Sequence, residues 1–154
     1  EGSLLSIEYS FRDDSPLLSI VLEMRFPEIP AGAQVDEYAP LALPLRLLKK
    51  GEAAAIEVSA PDGSTSSVEV TEETGSAFAP GALHRIRRVD GGWIILQFAA
   101  PGGPAWGLPS FRVTRSRGTR VLEANPFGSY VPQPGPSLSG RHACFSLRLG
   151  LEDA

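Results

Sequence analysis

Apolar and polar residues alternate along most of this chain. Leu5, Ile7, Tyr9 and Phe11 are each separated by one polar residue, and Ile20, Leu22, Met24 and Phe26 repeat the spacing after Asp13-Asp14-Ser15-Pro16. A period of two places each set on one face of a strand, and the Asp/Ser/Pro cluster supplies a turn, so this segment predicts a hairpin. Residues 27–40 carry three prolines and no sustained period, which predicts a loop or crossover. Leu41, Leu43, Leu45 and Leu47 resume the alternation and predict a strand with all four on one face, although residues 47–55 also suit a short helix.

Two further hairpins are legible. Ile56 and Val58 precede Ala60-Pro61-Asp62-Gly63 and Val68 and Val70 follow it; Pro presets the first corner and Gly takes the positive φ that closes the turn. The third hairpin covers residues 83–98 around Asp90-Gly91-Gly92. With those three residues as the loop, Val89 faces Trp93, Arg87 faces Ile95 and Arg85 faces Gln97. His84, Ile86, Ile94, Leu96 and Phe98 then share one face, and Arg85, Arg87, Trp93 and Gln97 the other. Phe111 and Val113 mark another strand, Arg117-Gly118 a turn, and residues 121–124 its partner. Residues 125–140 are rich in Pro, Gly and Ser, including Pro132-Gln133-Pro134-Gly135-Pro136, and predict a long loop. Ala143, Phe145, Leu147, Leu149 and Leu151 form a last strand, expected beside the first or second.

The expected fold is all-β: one domain over residues 1–154, an antiparallel two-sheet sandwich of jelly-roll or Ig-like type with eight or nine short strands. A barrel is the alternative, but charged outward faces and scattered prolines do not suit a membrane barrel. Composition supports this. Gly and Pro together number 30 of 154 residues, and the longest stretch free of both is residues 3–15, which excludes a helical bundle or coiled coil. With 42% hydrophobic and 21% charged residues, wholesale disorder is excluded as well. No apolar run approaches the ~20 residues of a membrane-spanning helix.

Charge changes the picture more than composition does. The net charge is −4, but residues 1–80 carry −9, residues 81–122 carry +6, and the remainder −1. Seven arginines stand against Asp90 alone in the middle segment. Either acidic and basic strands are neighbours that neutralise each other, or the basic segment attracts an anion. The acidic excess elsewhere disfavours nucleic acid as a partner.

Candidate chemistry is sparse. No dinucleotide- or phosphate-binding glycine loop, zinc-protease helix motif or nucleophile-elbow motif occurs. The single cysteine, Cys144, has no intramolecular disulfide partner and leaves the redox compartment open. His142 and Cys144 lie two apart on one strand, where a metal would need further ligands such as His84 or a carboxylate. Asp13-Asp14, Asp36-Glu37 and Glu72-Glu73 are adjacent and so point to opposite sides of an extended chain; solvated turn charges account for them. Trp106, Phe127 and Tyr130 are loop aromatics that cap a sandwich end or form a binding edge.

The more informative constellation is Arg85, Arg87, Trp93 and Gln97, with Arg112 on the next strand. A flat aromatic beside arginine forks can hold sugar rings or anionic groups. The expected function is a noncatalytic binding or assembly module that recognises a glycan, an anionic polymer or a protein through these residues, with no cofactor or metal and no membrane span. The chain begins at Glu1, consistent with processing or excision, and a periplasmic or secreted setting is expected. The alternatives are a hydrolase with carboxylates converging from loops, and a structural subunit completed by oligomerisation. A deep pocket with His and carboxylates would favour the enzyme, a shallow Trp/Arg face binding, and a flat apolar face or open sheet edge assembly.

Overall fold

A computed structural model describes residues 4–35, 42–98, 110–125, 133–134, 139–140 and 142–153. Among these there is no helix; two antiparallel sheets face each other as a sandwich. Hairpins supply the larger sheet: β1 (Leu4–Arg12) with β2 (Ser15–Arg25), β5 (Ala54–Ser59) with β6 (Thr65–Val70), and β8 (Leu83–Arg87) with β9 (Trp93–Phe98). The last strand, β13 (His142–Glu152), lies between β2 and β9, so the sheet order is β1-β2-β13-β9-β8-β5-β6. The expected neighbourhood of the last strand is thus observed. The smaller sheet runs β4 (Leu43–Leu48), β11 (Thr119–Asn125), β10 (Ser110–Ser116) and β7 (Ser76–Ala77). A two-residue ribbon joins β3 (Gln34–Val35) to β12 (Gln133–Pro134) within the segment expected to be loop. Among the described residues ten strands have five or more residues, slightly above the eight or nine expected.

Alternation decides what lies between the sheets. Ile20, Leu22 and Met24 of β2, Leu147 of β13, Leu96 and Phe98 of β9, Ile86 of β8 and Ile56 of β5 are buried on one side, against Phe111, Leu122 and Ala124 of the smaller sheet. Full burial of one such large side chain contributes roughly 1.5–3 kcal/mol. Phe78, just past β7, plugs one end: its ring centroid lies 3.8 Å from that of Phe98 and 4.0 Å from that of Phe111. His84 completes this cluster, edge-on to Phe78 at 5.1 Å and 1% exposed. The Ala79 N–H donates to its Nε2 at 3.3 Å.

The third hairpin corrects the expected register. Arg87 pairs with Trp93, Arg85 with Ile95 and Leu83 with Gln97, two residues away from the three-residue-loop pairing. The loop spans five residues, closed by the Arg88 N–H on the Gly92 carbonyl at 2.7 Å, with Gly91 at φ +96°. The β5–β6 turn is built identically: the Ala60 N–H meets the Ser64 carbonyl at 2.8 Å, and Gly63 sits at φ +86°. In both turns an aspartate carboxylate accepts from the N–H two residues on, Asp62 from Ser64 and Asp90 from Gly92. The Ser64 hydroxyl donates as well, and these bonds hold the Asp62 carboxyl below the usual range. Because the shift is an even number, every side chain keeps its expected face.

A second correction concerns β4. Pro44 pairs with Glu123 and Arg46 with Leu122, so Leu45 is an extra residue opposite none. Pro has no N–H for the ladder and sits at an edge strand, where such a bulge is tolerated. The extra residue inverts the faces beyond it: Leu48 is buried, while Leu47, expected to share a face with Leu43 and Leu45, is 67% exposed.

Two outcomes test this packing. Burial among three phenylalanine rings lowers the pKa of His84 below the ordinary 6.5. Below pH 6.5 the unfolded chain takes up a proton that the folded imidazole resists, so this contribution to stability is present above 6.5 and lost as pH falls. His84→Leu loses the acceptor for Ala79 and is less stable than the parent at pH 7.5, and in urea unfolding the gap narrows at pH 5.5; an unchanged gap contradicts the assignment. Gly92 meets β13 so closely that a Cβ there would lie 2.8 Å from the Glu152 carbonyl oxygen. Gly92→Ala is therefore expected to lose about 1–3 kcal/mol in the same assay.

Candidate functional site

The outer face of the larger sheet carries most of the residues singled out from the sequence. Its rows follow the strand pairing: Glu152 beside Trp93 beside Arg87, then Gly150, Ile95, Arg85 and Glu57, then Arg148, Gln97 and Leu83. Arg85, Arg87 and Trp93 are thus brought together, as the conserved face parity of the hairpin requires. Their groups are already engaged. The Arg87 guanidinium lies 4.7 Å from the centre of the Trp93 ring, and Arg85 reaches Glu152 at 3.3 Å across β9. Gln97 is on the same face but two rows away, and its amide donates to the Gly81 carbonyl at 3.3 Å, tying β9 to the loop before β8. Arg112 is not part of this surface: it lies on β10 of the opposite sheet and pairs with Glu123 of β11 at 3.3 Å.

The charge reversal between segments resolves in the same way. Glu72, from the acidic half, receives both Arg115 and Arg120, and Arg88 folds onto Asp90 within its own turn. Acidic and basic strands are neighbours, and the positive segment is largely neutralised at contact distance. Of the acidic pairs, Asp13-Asp14 forms the β1–β2 turn and Asp36-Glu37 lies outside the described residues.

His142 and Cys144 do share the outer face, with His142 bound to the Glu23 carboxylate of β2 and Cys144 exposed. His84 faces the interior on the other side of the sheet, so it cannot join them at a metal. Among the described residues no three His, Cys, Asp or Glu side chains converge on one point. Trp106, Phe127 and Tyr130 lie outside the described residues, as does most of 132–136.

A different surface was not foreseen from the sequence. Seven strands spaced ~4.8 Å apart make a sheet nearly twice as wide as four do, so the smaller sheet leaves part of the larger uncovered. The uncovered part is β1. Leu5 and Tyr9 occupy the same face as their buried partners Met24 and Ile20, and Phe11 follows two residues on, yet Tyr9 is 56% and Phe11 80% exposed. From Phe11 an apolar groove of about 460 Å³ runs between Leu18 and Leu43 to Leu151. A second, of about 500 Å³, shares Leu45, Ile94 and Leu151 with the first and continues to Leu47 and Val89, which are 67% and 86% exposed. The flank is built by three local causes: an edge strand without cover, the Pro44 bulge that turns Leu47 outward, and the five-residue turn that lifts Val89 to its tip. Only the last had a sequence signal, because residues 88–92 repeat the x-x-Asp-Gly-x pattern of residues 60–64.

Comparison of the chain with protein-family models, curated proteins and solved structures finds no match. No helix among the described residues is long and apolar enough to cross a membrane.

The Arg87–Trp93 contact is measurable. A double-mutant cycle of Arg87→Gln and Trp93→Ala on unfolding free energy is expected to give a coupling of about 0.5–1 kcal/mol, the range of a partly exposed cation–π pair. Strictly additive effects would mean the two side chains do not stack in solution.

Proposed function

We propose that this chain is a noncatalytic assembly module: a β-sandwich that docks a protein partner along the apolar flank from β1 to the β8–β9 turn. One observation carries the reading. Among the described residues six large apolar side chains, Leu5, Tyr9, Phe11, Leu47, Val89 and Leu151, are left exposed, and the last four line two joined grooves. Contiguous apolar surface is costly in water, and on a folded chain it marks a place that another molecule covers. Polar residues rim it, Arg46 with Glu52 and Arg88 with Asp90, as the rim of a protein interface does. The Trp93 face is the weaker candidate, because its ring is already covered by Arg87 and its second arginine is paired.

A photo-crosslinking amino acid placed in turn at Phe11, Leu47 and Glu69 tests this in extract of the cells that produce the protein. Glu69 lies on β6, at the far edge of the larger sheet, and is the control. Discrete adducts from the Phe11 and Leu47 positions and none from Glu69 are expected. No adduct at the flank, or equal labelling from all three positions, overturns the reading.

A further inference from the structure

Resting on that reading, we propose that the partner is a second copy of this chain, joined edge to edge through β1 about a two-fold axis at Ser10. The proposal starts from the state of the edge. β1 is nine residues long, and among the described residues no strand pairs with its outer side. Edge strands of monomers are normally blunted by Pro, by Lys or by a bulge. β1 has neither Pro nor Lys, and the irregularity in the β1–β2 ladder sits on β2, where residues 16–18 stand opposite Phe11 alone. Its free edge is regular, open and flanked by exposed Tyr9 and Phe11.

The charges on the strand then select a register. Glu8 and Arg12 are exposed on the outer face, and neither has an ion-pair partner among the described residues. In a two-fold antiparallel pairing, residues equidistant from the axis face each other, and each contact occurs twice. An axis at Ser10 sets Glu8 opposite Arg12 of the other copy, and Tyr9 opposite its Phe11. An axis at Glu8 brings two carboxylates together; at Tyr9 it sets Glu8 against Ser10 and Arg12 against Ser6; at Phe11 it sets Glu8 against Asp14 of the turn. An axis between two residues would place outer-face side chains opposite core-face ones. Opposite charges and an aromatic pair therefore meet in one centred register only. The result is a continuous sheet of twice seven strands, in which Tyr9 of each copy lies beside the groove that begins at Phe11 of the other.

The test is the oligomeric state of the whole chain, by sedimentation velocity with concentration, together with charge exchange. The parent is expected to form a closed dimer. Glu8→Arg or Arg12→Glu alone places like charges opposite each other twice, and roughly tenfold or greater weakening is expected. The double variant Glu8→Arg/Arg12→Glu restores the attraction and the parent's dissociation constant to within about threefold. Both positions are exposed, and circular dichroism of each variant checks that the fold is kept. A parent that stays monomeric to 100 μM (about 1.6 mg/ml), open-ended oligomers, single variants that dimerise like the parent, or a double variant that fails to recover each overturn the proposal. The crosslinking experiment separates this failure from that of the broader reading: an adduct of Phe11 with a different protein keeps the docking flank and removes the second copy as its occupant, whereas no adduct at all removes both.

Discussion

Two facing sheets bury only what both of them cover. Here the larger sheet has seven strands and the smaller four, one of which is two residues long. The strands under the smaller sheet hold the core: Ile20 and Leu22 of β2, Leu147 of β13, Leu96 of β9 and Ile86 of β8 are at most 2% exposed. One strand further out, with the same alternation and the same kinds of residue, β1 leaves Phe11 in water. The sequence of β1 is that of a core strand; its position in the sheet makes it a surface. The apolar flank, the grooves beside it and the functional reading all descend from that mismatch in width.

The insertion of β13 fixes which strand is left outside. Because the last strand pairs with both β2 and β9, the N-terminal hairpin is joined to the rest of the sheet by its second strand, and β1 is pushed to the edge. The close approach at Gly92, beneath the carbonyl of Glu152, and the contact of Leu17 with Gly150 show how tightly the C-terminal strand is held at that end. A chain that placed its last strand outside β1 would have the same hairpins and the same hydrophobic pattern but would expose a different edge. Pairing of strands distant in sequence therefore decides the surface, and alternation alone carries no information about it.

Face was legible in the sequence more securely than register. Arg85, Arg87, Trp93 and Gln97 share a face as expected, although the hairpin pairs two residues away from the expected partners, because the loop grew by an even number and parity survived. The β4 strand shows the opposite case. A single extra residue, Leu45, is an odd number, and it reverses the side of every residue after it, so Leu47 leaves the core and Leu48 enters it. Pro44 is the local cause, yet Pro at an edge strand permits a bulge without dictating one. His84 was placed correctly on the apolar face of its strand, but its packing against Phe78 and Phe111 brings together residues from three separate elements, two of them outside its own sheet or between strands.

The distribution of charge argues in the same direction as the distribution of apolar surface. A segment of +6 beside one of −9 suggests a molecule with two poles, but in the folded chain Glu72 binds two arginines, Glu152 binds Arg85 and Glu123 binds Arg112. Exposed pairs of this kind contribute little to stability, with a median near 0–1 kcal/mol. Their effect here is to remove long-range attraction: opposite charges at contact distance leave only a short-range dipole, screened within about 8 Å at physiological ionic strength. An anionic ligand approaching the Trp93 face therefore meets arginines that must first leave their partners. A partner approaching the β1 flank has no such exchange to make among the described residues, where Glu8 and Arg12 have no ion-pair partner and the side chains between them are apolar or hydroxyl-bearing. Recognition is favoured where the described residues leave interactions unmade, and of the sheet edges on this molecule that of β1 joins an open ladder to exposed aromatic residues beside it.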